Sequence, residues 1–246
     1  MAAKKAMPLD PKTVELLRQS STATVTMQLL KRGFRNLSIS GVRPMNPAAA
    51  RFVGPAFTLR FIPGREDLSL APKPTDPPSP QRMAIEGTPK DHVLVISTNG
   101  ETRCGTLGDI LAARLAKRGV AGVVSDGMMR DTPIMAGMDL PIFAQGGAAP
   151  ASMNFLHPVA VQEPVGVCGV PVFPGDAMVA DGDGVVVIPR HLVDEVARDS
   201  FEQERLERYV QILVRKGKAL AGVYPPNDET KAGYKKWLAA GEPPEV

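Results

Sequence analysis

The sequence predicts an α/β fold with a central mixed sheet and flanking helices, and three observations carry that expectation. Residues 92–98 (HVLVIST) and 120–125 are continuous apolar runs of strand length, the pattern of strands buried on both faces. Between them, residues 110–117 place Ile110, Leu111 and Leu115 on one helical face, so strand, helix and strand form a right-handed parallel crossover. Residues 177–189 read AMVA, Asp181-Gly182-Asp183-Gly184, VVVIP, an antiparallel hairpin whose Asp-Gly pairs supply positive φ.

The other elements follow in chain order. Residues 10–33 are helical, with Asp10 as cap and Pro11 in the first turn; Ser20-Ser21-Thr22 breaks the run into two helices and Gly33 ends it. Residues 51–61 alternate through Val53, Phe57, Leu59 and Phe61 as a strand, with a bulge or strand entry at Gly54-Pro55. Residues 62–80 are a proline-rich surface loop, followed by a short helix at 81–86. Met135 to Met138 form a helical turn, 141–145 a short strand and 146–158 a Gly/Ala/Pro loop. Residues 159–172 are strands with a turn at Gly169, and a long helix spans 192–216. Residues 217–246 are a C-terminal extension with a short helix at 234–240, and the whole of 1–246 is read as one α/β domain.

Composition narrows the class. With 43% hydrophobic and 22% charged residues the chain is an ordinary globular one, and a net charge of +3 with both signs interspersed gives no argument for nucleic acid. Two cysteines fit a reducing compartment. The basic start lacks the apolar core of a secretory signal, and no run approaches the ~18 residues of a membrane span. A cytoplasmic protein without nucleic-acid or membrane partners is the expectation.

The chemistry concentrates at the carboxyl ends of the two buried strands, where ligands bind in open α/β sheets. Gly105, Thr106, Leu107 and Gly108 open a helix whose first turn carries Asp109; converging backbone N–H groups and the helix N-terminus make an anion site. An acidic residue there also offsets the helix dipole. After the next strand comes Arg130-Asp131. Arginine clamps a carboxylate through two parallel hydrogen bonds, and aspartate is a hard ligand for Mg²⁺ or Mn²⁺. Such a pair can equally be a self-paired surface turn.

Asp109, twenty residues, then Arg130-Asp131 resembles the signature of the family that contains 4-hydroxy-4-methyl-2-oxoglutarate (4-carboxy-4-hydroxy-2-oxoadipate) aldolase and the regulators of ribonuclease activity A. Val53-Gly54-Pro55-Ala56, Asp126-Gly127, Pro174-Gly175-Asp176 and Asp181-x-Asp183-Gly184-Val185 fit it too, over about residues 20–210, and Tyr224-Pro225-Pro226 resembles longer members labelled as ribonuclease regulators. The resemblance implies a swivelling β/β/α domain, a homotrimer or homohexamer with sites between subunits, and Mg²⁺ (or Mn²⁺) held by Asp131 and waters. It also implies a pyruvyl carboxylate on Arg130, amides of Gly105 to Gly108 around the anion, and water oriented by Asp109. A glutamate from a neighbour's C-terminal helix is expected to assist: Glu204, with Glu202 and Glu207 as alternatives. Some members carry an acidic residue where this chain has Ile134. The implied activity is a lyase that cleaves a 2-oxo acid to pyruvate through an enolate, by retro-aldol cleavage or oxaloacetate decarboxylation. A non-catalytic ribonuclease-regulator-like protein and a sugar-acid dehydratase are the alternatives.

Other signals carry less. Cys104 has no histidine at a nucleophile's spacing, and His92, His157 and His191 lack metal-ligand spacing. Asp181-Gly-Asp183-Gly is a hairpin turn without the distal glutamate of a calcium loop. No nucleotide-binding glycine motif is present.

Overall fold

The computed structural model describes residues 7–69 and 76–244, so the basic first residues and the middle of the 62–80 loop lie outside the described residues. The N-terminal helical run divides as its sequence predicts. Asp10 accepts from the N–H groups of Lys12 and Thr13 to start α1 (Pro11–Arg18), and Ser21 caps α2 (Thr22–Lys31) by accepting from Thr24 N–H. The chain continues through β1 (Ser38–Ile39), β2 (Arg43–Pro44), β3 (Phe52–Pro63), α3 (Pro80–Gly87), β4 (Val93–Ser97), α4 (Asp109–Lys117), β5 (Gly122–Ser125) and β6 (Met128–Met129). Then come α5 (Thr132–Met135), β7 (Ile142–Ala144), β8 (Gly146–Gly147), β9 (Leu156–Val161), β10 (Val165–Val167), β11 (Val170–Val172), β12 (Ala177–Asp181), β13 (Gly184–Ile188), α6 (Val193–Arg215) and α7 (Asp228–Ala239).

The main sheet runs β1-β13-β12-β3-β4-β5-β7-β2, with β9 also paired to β3. β4 lies parallel to β3 and β5, and β5 parallel to β7, whereas the β12–β13 hairpin and its pairing to β3 are antiparallel. The mixed sheet and the crossover through α4 are therefore present. β1 and β2 sit at opposite edges yet are joined by residues 40–42 alone, which span at most ~14 Å. The sheet must curl until its edges approach. Its inner face is one cluster that includes Val93, Val95, Val124, Val185 and Val187, with Phe52 and Phe143 edge-to-face at 5.7 Å. Gly122 makes that packing possible, because a Cβ there would lie 2.5 Å from the Phe52 ring. The outer face carries Leu94 and Ile96 under α3 and α4 at one end, and Val53, Val179 and Val186 under α1, α2 and α6 at the other. Adjacent strand residues thus serve two cores, as the period of two requires.

Several expectations need correction. β3 runs unbroken through Gly54-Pro55. Pro55 ends the ladder with β12, Ala56 takes over by donating to Asp176 O (2.8 Å), and the irregularity falls at Arg60/Phe61, where β9 pairs. In the β12–β13 hairpin Asp181 pairs with Gly184, and positive φ belongs to Gly184 (150°), not Gly182. The helical turn expected at 135–138 comes three residues earlier as α5, because Pro133 suits a first turn. The loop 146–158 contains β8 and the start of β9. In the C-terminal extension α7 begins at Asp228, capped by Asn227, and packs Tyr234 and Trp237 on Tyr209 of α6. Among the described residues no helix is long and apolar enough to cross a membrane.

Asp181 has a role that its turn pattern does not show. Its carboxylate accepts from both Thr22 N–H and Thr22 Oγ1 (2.7 Å each) and so fastens α2 to the hairpin. Asp181→Ala should cost ~1–2 kcal/mol, the scale of a lost helix cap, measured as a lower urea midpoint at unchanged slope.

Candidate functional site

Three chain segments meet beyond the carboxyl ends of β4, β5 and β7. The loop after β4 is fastened first. Asp126, at the end of β5, is buried and accepts from Thr98 N–H (2.6 Å), Thr98 Oγ1 (2.9 Å) and Gly100 N–H (3.2 Å). Burial pushes its carboxyl above the usual range despite these donors. The loop then runs beside β6: Thr106 N–H donates to Met128 O (2.9 Å) and Arg130 N–H to Leu107 O (2.8 Å). β6 pairs in parallel with β8 on its other side, and Ala148 N–H reaches Met129 O (2.9 Å). Gln81 of α3 supports the loop by donating to Thr106 O (2.5 Å).

Arg130 and Asp131 project from this platform. Asp131 has φ 56° and ψ 33°, a left-handed conformation uncommon outside glycine and of the kind found at functional turns. Its Oδ2 lies 3.4 Å from Asp109 N, and Asp109 Oδ1 accepts from Ile110 N–H at 2.7 Å. Both carboxylates thus meet backbone amides at the start of α4. The Arg130 guanidinium is exposed and, among the described residues, has no carboxylate within ion-pair reach. A cleft of about 360 Å³ is lined by Arg130, Asp131 and Thr132 together with Gly147, Ala148 and Ala149 in and just after the neighbouring strand β8.

The structure brings Gly105, Thr106, Leu107, Gly108, Asp109, Arg130 and Asp131 together, with altered roles for some. The amides of Gly105 and Thr106 are committed to Pro150 O and Met128 O, so they do not face an anion. Those of Leu107 and Gly108 have no acceptor among the described residues. The two glycines act by absence of a side chain. A Cβ on Gly105 would fall 2.5 Å from Arg130 Cγ, and one on Gly108 would fall 2.8 Å from Asp131 Oδ2. Glu204 lies elsewhere: its Oε1 accepts from Ser21 N–H (2.8 Å), closing the N-terminus of α2 in its own chain. Burial opposes the charge, but donation from Ser21 and Thr24 and the nearby Arg208 hold its carboxyl below the usual range. Glu202 receives Tyr234 Oη–H (2.7 Å), and Glu207 accepts from Gln203 (2.7 Å). None of the three glutamates reaches the cleft of its own chain.

Residues with donor chemistry for a cation are few. Among the described residues no group of three His, Cys, Asp or Glu side chains could hold a metal, which disfavours a closed thiolate or imidazole cage. Asp131, lining an open cleft next to the start of α4, fits instead a hard cation such as Mg²⁺, which keeps several waters and needs one or two carboxylates. Cys104 is buried, which pushes its thiol upward and away from nucleophile chemistry. His92 Nδ1 meets Lys90 O (3.0 Å), and His157 meets Ser69 Oγ (3.3 Å); both lie outside the cleft. The fastening role of Asp126 and the Gly147–Ala149 wall have no local pattern in the sequence.

Two outcomes follow. Glu204 is held low in the folded chain, so its contribution is present above the unfolded-state pKa and lost as pH falls through the folded one. Glu204→Gln should therefore lower urea stability at about pH 7, and the difference from the parent chain should shrink as pH falls below the ordinary carboxylate range. Gly108 has φ −106°, which alanine adopts freely, so Gly108→Ala tests the contact with Asp131 alone. It should keep the folding midpoint while reducing turnover by ~10–100-fold, the scale of a misplaced reacting group.

Comparison with known proteins bears on the family and the fold. Residues 22–187 match the RraA-like family model, described as Aldolase/RraA. Protein DlpA of Legionella pneumophila is 25% identical over 85% of this chain, which spans only 33% of that protein's length. A Halalkalibacterium halodurans protein provisionally named 4-hydroxy-4-methyl-2-oxoglutarate aldolase is 30% identical over 72% of this chain and 80% of its own. The crystal structure of Streptomyces coelicolor RraAS2, described as an unusual member of the RNase ES inhibitor RraA protein family, superposes with a TM-score of 0.74 at 33% identity, covering 83% of this chain and 98% of that one. With the shared fold and a family model spanning most of the sheet and the whole cleft, this chain belongs to the RraA-like family.

Proposed function

We propose that this chain is a divalent-metal-dependent lyase that releases pyruvate from a 2-oxo acid, by retro-aldol cleavage of a 4-hydroxy-2-oxo acid or by decarboxylation of oxaloacetate. The observation that carries the reading is Arg130, without a carboxylate partner among the described residues, lining one cleft with Asp131, whose carboxylate meets the Asp109 amide at the start of α4. Relatives provisionally named as aldolases support the reaction class.

The residues divide the work by charge. Arg130 binds the carboxylate next to the keto group through two parallel hydrogen bonds and offsets negative charge as the enolate develops. The N–H groups of Leu107 and Gly108, without an acceptor among the described residues, add candidate donors. Asp109 holds the water that carries the proton from the substrate hydroxyl and returns one to the enolate carbon. Mg²⁺ or Mn²⁺ on Asp131 would supply a Lewis acid for the keto oxygen. No Schiff-base lysine is required: Lys117 is at the far end of α4. Homo-oligomerisation, as a trimer or hexamer, belongs to this proposal.

A second reading, a ribonuclease-regulator-like binding protein, is favoured by the inhibitor descriptions of RraAS2 and of the Thermus thermophilis RraA structure, the latter at a TM-score of 0.51. The two separate in one assay. Pyruvate release from 2-oxo acids should need Mg²⁺ or Mn²⁺ and vanish with EDTA, and Arg130→Ala or Asp131→Ala should each lower kcat/KM at least ~100-fold. Turnover unaffected by EDTA would exclude the metal; no turnover of any 2-oxo acid at high metal would favour the binding protein.

A further inference from the structure

The 105–108 loop departs by one residue from the ladder that it begins with β6. Gly105 bridges Met128 in parallel, and Thr106 N–H donates to Met128 O (2.9 Å). Bonds along a parallel pair are evenly spaced, so the next would run from Arg130 N–H to Thr106 O. It runs instead to Leu107 O (2.8 Å). One extra residue therefore stands on the loop side, the arrangement of a β-bulge. The insertion sets Gly108 and Asp109 back by one residue, about 3.3 Å of strand, toward the Arg130-Asp131 turn. That offset lays Gly108 against Asp131 and brings Asp109 N to 3.4 Å from Asp131 Oδ2.

The bulge displaces the Thr106 carbonyl from the ladder. Thr106 is 3% exposed, and a buried carbonyl without a donor opposes the conformation that strands it. Gln81 Nε2, in the first turn of α3, donates to it at 2.5 Å; among the described residues no second donor reaches it. A carbonyl only accepts, so the Gln81 amide must present its nitrogen. We propose that Gln81 is a positioning residue for the cleft: by satisfying Thr106 O it holds the extra residue in the loop, and so sets the start of α4 in register with Asp131 beside Arg130. Without that donor, Thr106 O can recover Arg130 N–H, which slides Asp109 away from Asp131. The effect on turnover rests on the lyase reading above; the register does not.

The test uses the full-length protein with Mg²⁺ and oxaloacetate, and compares Gln81→Leu with Gln81→Glu. Leucine has no donor at any pH. Glutamate has none when ionised and regains an O–H donor when protonated. At about pH 7.5 both variants should lower kcat/KM by ~10–100-fold, the scale of a reacting group misplaced by about 1 Å. As pH falls through about 4–6, Gln81→Glu should recover toward the parent measured at the same pH, while the ratio for Gln81→Leu stays flat. Loss of stability alone gives no such recovery. Parental kcat/KM in Gln81→Leu, or two ratios that do not separate with pH, overturns the inference and leaves the lyase reading standing. A crystal structure of Gln81→Leu should show Arg130 N–H on Thr106 O; an unchanged bulge overturns the inference whatever the activity. If the parent releases no pyruvate from any 2-oxo acid, the lyase reading falls and the crystal structure alone decides the inference.

Discussion

The close approach of residues 105–108 to the Arg130-Asp131 turn is the contact on which the cleft depends. Two backbone segments can lie this near only where one lacks side chains, and Gly105 and Gly108 supply that absence at two points three residues apart. Main-chain bonds from Thr106 to Met128 and from Arg130 to Leu107 then lock the register. The consequence is electrostatic. Asp131 is brought to the Asp109 amide, and among the described residues no carboxylate pairs with Arg130.

That contact is held from below by the curled sheet. β3 changes partners along its length, antiparallel to β12 in its first half and parallel to β4 in its second, so it joins the hairpin to the crossover. The close connection from β1 to β2 forces the edges together, and the valines inside leave little freedom for the strand ends. Asp126 transfers this rigidity to the loop after β4 through three hydrogen bonds. Its raised pKa records what burying a carboxylate there costs; its donors are what make it tolerable. A platform of this kind suits a reaction in which charge develops, because preorganised donors need not rearrange.

The acidic residues separate into two groups by environment rather than by sequence pattern. Asp10, Asp181 and Glu204 spend their oxygens on helix N-termini, and Asp176 on the amides of Phe173 and Arg190. Asp131 also accepts at a helix N-terminus, from Asp109 N–H at 3.4 Å, but it lines the open cleft together with Arg130. Glu204 illustrates the ambiguity: on a long helix with alternating charges it is indistinguishable from a glutamate awaiting a substrate, until Ser21 and Thr24 are found beneath it.

Much of the architecture is readable along the chain because it is periodic. Runs of alternating or continuous apolar residues mark β3, β4, β5, β12 and β13, and the caps at Asp10 and Ser21 mark where helices begin, since both are local consequences of backbone geometry. The Asp109/Arg130-Asp131 spacing follows from one helix and one strand and is equally local. What periodicity cannot encode is pairing between two-residue segments. β1, β2, β6 and β8 are too short for a pattern, and they exist because the curled sheet and the β5 and β7 ends present partners to them. The same holds for the cleft's glycine–alanine lining: Gly147, Ala148 and Ala149 are a featureless loop in sequence. Only tertiary structure sets them beside Arg130, because position there depends on the parallel pairing of β8 with β6 and on nothing in their own side chains.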